Sequence, residues 1–208
     1  MRKNVMKLLM TALLIAVAVP FVNAQVRVGD ILCEGDVVVS PSNYDSKNHV
    51  AQGVVFYVDD SGQHGWAVSL YNEGTFPWGK YGEDSPLKNM RGKGRAKKDI
   101  DGYANTKSVL ESDGEFPAFE AVDFENGWYL PAVGQLRKLY SKIKTVNSTL
   151  KTLEGDVIRK TGFTYWSSTE SNAKDAWYMC SIGGIEKTTD AFDDCKSTAK
   201  FVRSVKTF

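Results

Sequence analysis

Alternating apolar and polar positions predict short β-strands near both ends of the chain. Residues 54–58 (VVFYV) and 66–70 (WAVSL) are β-rich and flank the turn-forming sequence DDSGQHG, so they predict a β-hairpin. Strand periodicity puts these side chains on shared faces: Phe56 with Val58, and Trp66 with Val68 and Leu70. The other predicted strands lie within residues 26–39, 164–166, 176–179 and 201–205.

Helical spacing replaces this alternation in the middle of the chain. Five apolar residues recur at intervals of three and four between basic positions and predict an amphipathic helix: Val133, Leu136, Leu139, Tyr140 and Ile143. Shorter helices are predicted over residues 106–110 and from Pro117, which suits a first helical position. Residues 71–99 fit neither period and predict a long irregular segment, a kind that often carries function.

Strands at both ends, with two or three helices and long irregular loops between them, predict an α+β domain. We expect the first and last strands to pair in one small antiparallel sheet. The sequence contains no repeat of solenoid or propeller period and no second hydrophobic core.

The first 24 residues resemble a secretory signal peptide. They combine three basic residues, an apolar run over residues 8–19 and the small-residue sequence Val-Asn-Ala before Gln25. The apolar run is too short to cross a bilayer comfortably. We therefore expect an exported single domain over residues 25–208, located in the periplasm, at the cell surface or outside the cell. Cys33 lies well past the cleavage point, which disfavours a lipid anchor.

Composition and charge exclude two classes of protein. The chain of 208 residues is 42% hydrophobic and 12% aromatic, which is enough apolar surface to fold rather than stay disordered. A formal net charge of +1 offers little general attraction for phosphate, so nucleic acid is not an expected partner. No segment after the leader is apolar enough to cross a membrane.

The three cysteines suit an oxidising compartment but leave their pairing open. Cys180 and Cys195 are 15 residues apart, with a turn predicted at the Ile-Gly-Gly-Ile sequence between them. A disulfide could close this separation, which would leave Cys33 unpaired. Pairing of Cys33 with either of them is an alternative. A third alternative is that all three are buried thiols.

The sequence contains no complete catalytic or metal-binding motif. The two histidines, His49 and His64, lie in polar loops, and no nucleophile-elbow motif is present. Acidic residues that could contribute to a calcium site form incomplete ligand sets: Asp99, Asp101, Asp190, Asp193 and Asp194. We therefore expect no enzyme activity, no metal and no cofactor.

Aromatic and basic residues in the irregular segments are the candidates for ligand contact. Trp78, in the sequence Phe-Pro-Trp-Gly, is the tryptophan we expect to be exposed, where its face could stack on a sugar. Residues 91–98 contain five cations that could hold an anionic polymer, although a mobile solvated loop is the favoured alternative. The expected ligand-binding residues are Trp78, Tyr81, Arg91, Lys93, Arg95, Asn172 and Lys174.

An ordered set of short motifs from about Gly53 to Phe208 resembles a large family of exported bacterial domains. The motifs are Asp-Gly at 101, Asn-Thr at 105, Pro-Ala at 117, Gly-Trp-Tyr-Leu-Pro at 127–131, Tyr-Trp-Ser-Ser-Thr-Glu at 165–170, Ala-Trp-Tyr at 176 and Val-Arg at 202. This family was first described as being of unknown function and is related to the C-terminal domain of bacterial collagen-like adhesins. Its fold is similar to C-type lectins and, more distantly, to formylglycine-generating enzymes.

The resemblance implies a C-type-lectin-like domain with an N-terminal strand extension over residues 25–52. It also implies an adhesin-like role, with a glycan or a cell-surface protein as the ligand. Two alternatives stay open: a structural or assembly protein of the cell envelope, and a secreted hydrolase or formylglycine-generating-like oxidase. The calcium and sugar motifs of animal C-type lectins are absent, which argues against calcium-dependent sugar binding.

One set of residues in these motifs is expected to be structural, with Glu170 paired to Arg203. The set comprises Trp128, Pro131, Trp166, Ser167, Ser168, Thr169, Glu170, Trp177 and Arg203. The helix after Pro131 begins with Ala132 instead of a hydroxyl cap. Only the return hydrogen bond from Gln135 could therefore survive there.

Overall fold

A computed structural model describes residues 25–159, 162–182 and 188–208. The signal-peptide prediction for residues 1–24, and the Gly-Gly turn predicted between Cys180 and Cys195, lie outside the described residues. The described strands are β1 (Ile31–Cys33), β2 (Val38–Val39), β3 (Ala51–Val58), β4 (Gly65–Ser69), β5 (Gly74–Pro77), β6 (Trp128–Tyr129), β7 (Thr164–Glu170), β8 (Asp175–Ile182), β9 (Thr188–Cys195), β10 (Ala199–Val202) and β11 (Val205–Thr207). The described helices are α1 (Lys93–Ala96), α2 (Gly102–Leu110), α3 (Pro117–Glu120), α4 (Val133–Ser141) and α5 (Ile143–Thr152).

The strands form two sheets, so the prediction of a single sheet is wrong, whereas the mixed α+β class is confirmed. The larger sheet has the order β2-β1-β3-β4-β11-β6, and all its pairs are antiparallel. The second sheet has the order β5-β10-β7-β8-β9, in which β10 and β7 are parallel.

The first and last strands lie in the same sheet but are not neighbours, so the predicted pairing is wrong. β1 pairs with one edge of the β3–β4 hairpin, with Ile31 opposite Val54. β11 pairs with the other edge, with Val205 opposite Val68. The hairpin therefore separates the first and last strands.

The predicted hairpin of β3 and β4 is confirmed, but one of its faces differs from the prediction. The register shifts between Val55 and Tyr57, as at a β-bulge. Because the bulge breaks the two-residue alternation, Phe56 packs in the main core and Val58 packs against the separate cluster around Val55. On β4, the predicted common face of Trp66, Val68 and Leu70 is confirmed by their packing in the main core.

The amphipathic helix is confirmed as α4 and continues, after a break at Lys142, into α5. All five of its predicted apolar positions are buried. Its first turn keeps the expected return bond, in which Ala132 N donates to Gln135 Oε1 at 3.0 Å. Thr169 Oγ1 supplies the missing hydroxyl from β7, because it accepts from Val133 N at 3.0 Å.

Candidate functional site

The motif at 165–170 forms β7, and its polar side chains bond within the protein. Thr169 Oγ1 donates to the carboxylate of Asp99 at 2.7 Å, and Ser167 Oγ donates to the Trp177 carbonyl at 2.6 Å. Ser168 Oγ accepts from Asn105 at 3.1 Å. These bonds join β7 to its neighbours and leave the motif without an exposed face. Buried side chains are also found at Trp128, Pro131, Trp166 and Trp177.

Glu170 pairs with Lys196 and not with Arg203, so the predicted ion pair is wrong. The Glu170 and Lys196 side chains are both 0% exposed. Ser85 Oγ also donates to Glu170 at 2.8 Å, and the Lys196 ammonium donates to the Glu83 carbonyl at 2.6 Å. Burial raises the pKa of Glu170, while Lys196 and Ser85 act in the opposite direction.

Arg203 is buried against backbone carbonyls instead of a carboxylate. Its guanidinium donates to Ser69 O and Leu70 O, each at 2.9 Å, and to Asp156 O at 3.0 Å. A fourth bond reaches Asn72 Oδ1 at 3.2 Å. Burial lowers the pKa of Arg203 to about 10, so the group stays charged and fastens the end of β4 to the segment after β10.

Trp78 is a core residue, so its predicted exposure and ligand contact are wrong. The indole is 0% exposed, and its Nε1 donates to Ser167 O at 2.8 Å. Its ring packs edge-on against Phe116 and Phe119, with the Lys196 ammonium 4.6 Å from its centroid. The segment leaving β5 thus turns inward, which its loop-like sequence did not indicate.

The basic segment includes the short helix α1, and two of its lysines contact one acidic residue. Lys93 and Lys97 both form ion pairs with Asp190 on β9, the former at 2.9 Å. Burial acts to raise the pKa of Asp190, but hydrogen bonds from the two ammonium groups outweigh it and hold the pKa at about 2. Arg91 and Arg95 are exposed.

Tyr81, Asn172 and Lys174 lie at a different place. Tyr81 is 60% exposed, and the Lys174 ammonium lies 5.6 Å from its ring centroid. Asn172 is held in its own turn, because its Oδ1 accepts from Lys174 N and its Nδ2 donates to Asp175.

The expected ligand-binding residues therefore divide between the two ends of the β8–β9 hairpin. Lys174 adjoins the end where Asp175 faces Cys195, whereas Lys93 contacts Asp190, which faces Cys180. Five residue steps along a strand correspond to roughly 17 Å. The seven residues do not form one site.

The predicted disulfide between Cys180 and Cys195 is wrong for the same reason. The register places the two residues at opposite ends of the hairpin, whereas a disulfide needs Cα atoms within about 7 Å of each other. Cys33, Cys180 and Cys195 all lie in the described part of the chain and are free thiols. Burial raises the pKa of Cys33 and of Cys180.

Acidic residues considered for calcium serve other contacts. Asp194 pairs with Lys200 at 2.6 Å, and Asp193 accepts from Ser171 Oγ at 2.8 Å. Asp101 caps α2 by accepting from Ala104 N at 3.1 Å. Over residues 25–159, 162–182 and 188–208, no cluster of three His, Cys, Asp or Glu residues could hold a metal ion. Within the same ranges, no helix is long and apolar enough to cross a membrane.

A cleft of about 290 Å³ brings together residues that the sequence analysis did not select. The start of β3 contributes Gln52, and the segment leaving β4 contributes Tyr71 and Glu73. Asp123 and Ser204 come from distant parts of the chain. Apolar lining is supplied by Ala51, Leu70 and Trp128.

The polar groups in this cleft differ in whether they have a hydrogen-bond partner within the protein. Ser204 Oγ donates to Glu73, whereas Gln52 Oε1 is buried with no hydrogen-bond partner among the described residues. Tyr71 is 55% exposed. Burial raises the pKa of Glu73, and Asp123 adds to this effect, while Ser204 and Arg203 oppose it.

Little in the sequence marks these residues as a group. Tyr71 and Glu73 begin the long irregular segment, and its length was the one available signal. Gln52, Asp123 and Ser204 follow no motif, and only the pairing of the strands brings them together.

No family model and no curated protein matches the sequence. Among solved structures, the fold is similar to a fimbrial protein from Bacteroides ovatus, with a TM-score of 0.67 and 20% sequence identity. The alignment covers 88% of this chain and 49% of that chain, so this chain spans about half of that protein's length. At this identity the similarity concerns the fold alone.

Proposed function

We propose that this protein is an exported, non-catalytic recognition domain of C-type-lectin-like architecture. It binds a glycan or a protein ligand in an adhesin-like role, in the periplasm, at the cell surface or outside the cell. The ordered motifs from Gly53 to Phe208 and the signal-like sequence of residues 1–24 support this proposal.

The cleft beside Tyr71 is the observation that carries the proposal. Ligand sites combine concave apolar surface with a few convergent polar groups. Here Tyr71 offers an exposed ring, and Gln52 Oε1 and Glu73 offer hydrogen-bond acceptors inside the same concavity. An unpartnered buried amide oxygen is costly, and a ligand donor would satisfy it.

Two exposed tyrosines allow a matched test of the site. We expect the purified protein to retain ligands on a glycan array or on immobilised cell-surface proteins, and Tyr71→Ala to weaken that retention at least fivefold. Tyr81→Ala removes a similarly exposed ring from the surface beside Lys174 and should leave retention unchanged. The reverse ranking of the two variants would move the site to Tyr81.

The same experiment should also test whether the protein hydrolyses a bound glycan, because Glu73 and Asp123 both line the cleft. Pairs of carboxylates also perform glycoside hydrolysis. Any bound glycan should be recovered intact after prolonged incubation. Release of reducing ends, abolished by Glu73→Gln, would replace recognition by hydrolysis.

A subunit of an envelope assembly is the second candidate, and the similarity of the fold to a fimbrial protein favours it. Sedimentation over a range of concentrations separates the two candidates. Recognition predicts a species whose mass is independent of concentration. Growth into long oligomers, with no ligand retained, would favour assembly.

A further inference from the structure

The lining of the Tyr71 cleft consists mainly of hydrogen-bond acceptors and apolar surface. Glu73 and Asp123 bring carboxylates, of which that of Asp123 already accepts from Asn126 Nδ2 and keeps further lone pairs. Gln52 Oε1 has no partner among the described residues. Lysine and arginine are absent from the described lining. A bound group that brings hydrogen-bond donors therefore suits these acceptors.

Both serine hydroxyls of the lining are already used as donors within the protein. Ser204 Oγ donates to Glu73, and Ser69 Oγ donates to the Tyr71 carbonyl at 3.0 Å. A sugar hydroxyl donates one hydrogen bond and also needs donors for its own lone pairs. A sugar would depend on Gln52 Nε2, Trp128 Nε1 and the Tyr71 hydroxyl for those donors, whereas a cation needs none and also meets the two carboxylates.

We propose that the cleft binds the cationic side chain of a protein partner, a lysine or an arginine. An ammonium group carries three donors and a guanidinium five, and neither carries an acceptor. Their N–H groups face Glu73, Asp123 and Gln52 Oε1, and their aliphatic stem lies along Leu70 and Trp128. The exposed ring of Tyr71 adds a cation–π contact. This inference rests on the proposed function, whose ligand class it narrows.

Charge around the cleft favours a cation despite one opposing group. Arg203 lies behind the lining, where it donates to Ser69 O and Leu70 O. Its charge is opposed by Glu73, Asp123 and the nearby Asp156. The remaining negative charge draws cations toward the opening, and added salt screens it.

Short glycine-serine peptides that carry one lysine, one arginine or one acetyl-lysine test this proposal by NMR titration of the purified protein. We expect lysine and arginine peptides to shift the signals of Trp128 and Tyr71, and the acetyl-lysine peptide to leave them in place. Glu73→Gln and Asp123→Asn should each weaken binding about five- to tenfold. Glu125→Gln is the matched control, because this exposed carboxylate lies close to Asp123 in sequence but outside the cleft.

Three results would overturn the proposal. The first is binding of the acetyl-lysine peptide that is as strong as binding of the lysine peptide. The second is unchanged binding of the lysine peptide by both Glu73→Gln and Asp123→Asn. The third is a shift of the cleft signals with glucosamine but not with the lysine peptide. If the peptides cause no shift while Tyr71→Ala still weakens ligand retention at least fivefold, a cationic side chain is the wrong ligand and the proposed function stands. If Tyr71→Ala leaves retention intact, the proposed function fails at this site.

Discussion

Glu170 and Asp190, two acidic residues of the second sheet, illustrate how the exposure of an ion pair determines its contribution to the stability of the protein. Glu170 and Lys196 are wholly removed from water, so their attraction is set against a large desolvation cost. The side chain of Asp190 is 28% exposed and receives two ammonium groups. Asp190 keeps more of its hydration, and its pairing stabilises the charged form.

Asp190 predicts a specific loss of stability in acid. Its pKa is about 2 in the folded protein, below the value of 3.8 for a free aspartate. The folded state therefore binds fewer protons, and the pairing stabilises the protein above about pH 4 and is lost as the pH falls toward 2. We expect Asp190→Asn to lower the free energy of unfolding by about 1 kcal/mol at pH 7 after allowance for solvent screening.

Urea unfolding of both proteins at several pH values between 7 and 2 measures this effect. The difference between them should shrink to near zero at the acid end. Asp60→Asn is a suitable control, since Asp60 is exposed in the β3–β4 turn. A difference that stays constant with pH would contradict the assigned role of the two lysines.

At the scale of elements, strand β7 determines how α4 begins. Thr169 accepts from Val133 N at the start of the helix and donates to Asp99, so one hydroxyl joins a helix, a strand and a loop. Ser168 N also donates to Pro131 O at 2.9 Å, just before the helix. A capping group can thus come from another element when the local sequence lacks one.

Thr169→Val tests this shared cap with little change in volume. The variant leaves Val133 N without its acceptor and removes one donor from the Asp99 carboxylate, which still accepts from Asn105 and from Asp101 N. We therefore expect a loss of about 1 to 3 kcal/mol in the free energy of unfolding. Thermal and urea unfolding measure it. Thr75→Val changes an exposed strand residue in the same way and should cost little. Equal losses in the two variants would show that the cap is unimportant.

Elements with a strong hydrophobic period could be predicted from the sequence. Strands that depend on pairing with a neighbouring strand could not. The β3–β4 hairpin and α4 follow from local alternation and spacing. β9 has the sequence TTDAFDDC, which contains three aspartates, a residue that is depleted in strands, and β8 pairs with it along its full length.

The candidate site was the least predictable part, for a related reason. Trp78 lies in a loop-like sequence, but contacts with Phe116 and Phe119 bury it. Gln52, Glu73 and Asp123 are far apart in sequence and share no period. Their convergence depends on how the strands of the larger sheet are ordered.

At the scale of the whole molecule, a short segment near the end of the sequence joins the two sheets. β10 belongs to the second sheet, and β11 lies inside the larger sheet between β4 and β6. Arg203 and Ser204 connect them, and Arg203 holds the carbonyls at the end of β4. Residues 70–73, between β4 and β5, form a second connection between the sheets.

Removal of residues 203–208 should therefore abolish cooperative unfolding of the protein. The truncated chain loses a central strand and the buried guanidinium, and β6 loses its partner. Near-UV circular dichroism and urea titration measure the loss. Lys206→Gln keeps the backbone of β11 and changes only its ion pair with Asp36, so it should unfold cooperatively. A truncated chain with native near-UV signals would contradict this view.

The order of the strands also has a temporal consequence. A polypeptide that emerges from a ribosome or a secretion channel presents β3 and β4 long before β11, and β7 before β10. Neither sheet can be completed until residues 199–207 have emerged. Nascent chains of this protein thus lack a completed sheet until the last residues of the described chain have emerged.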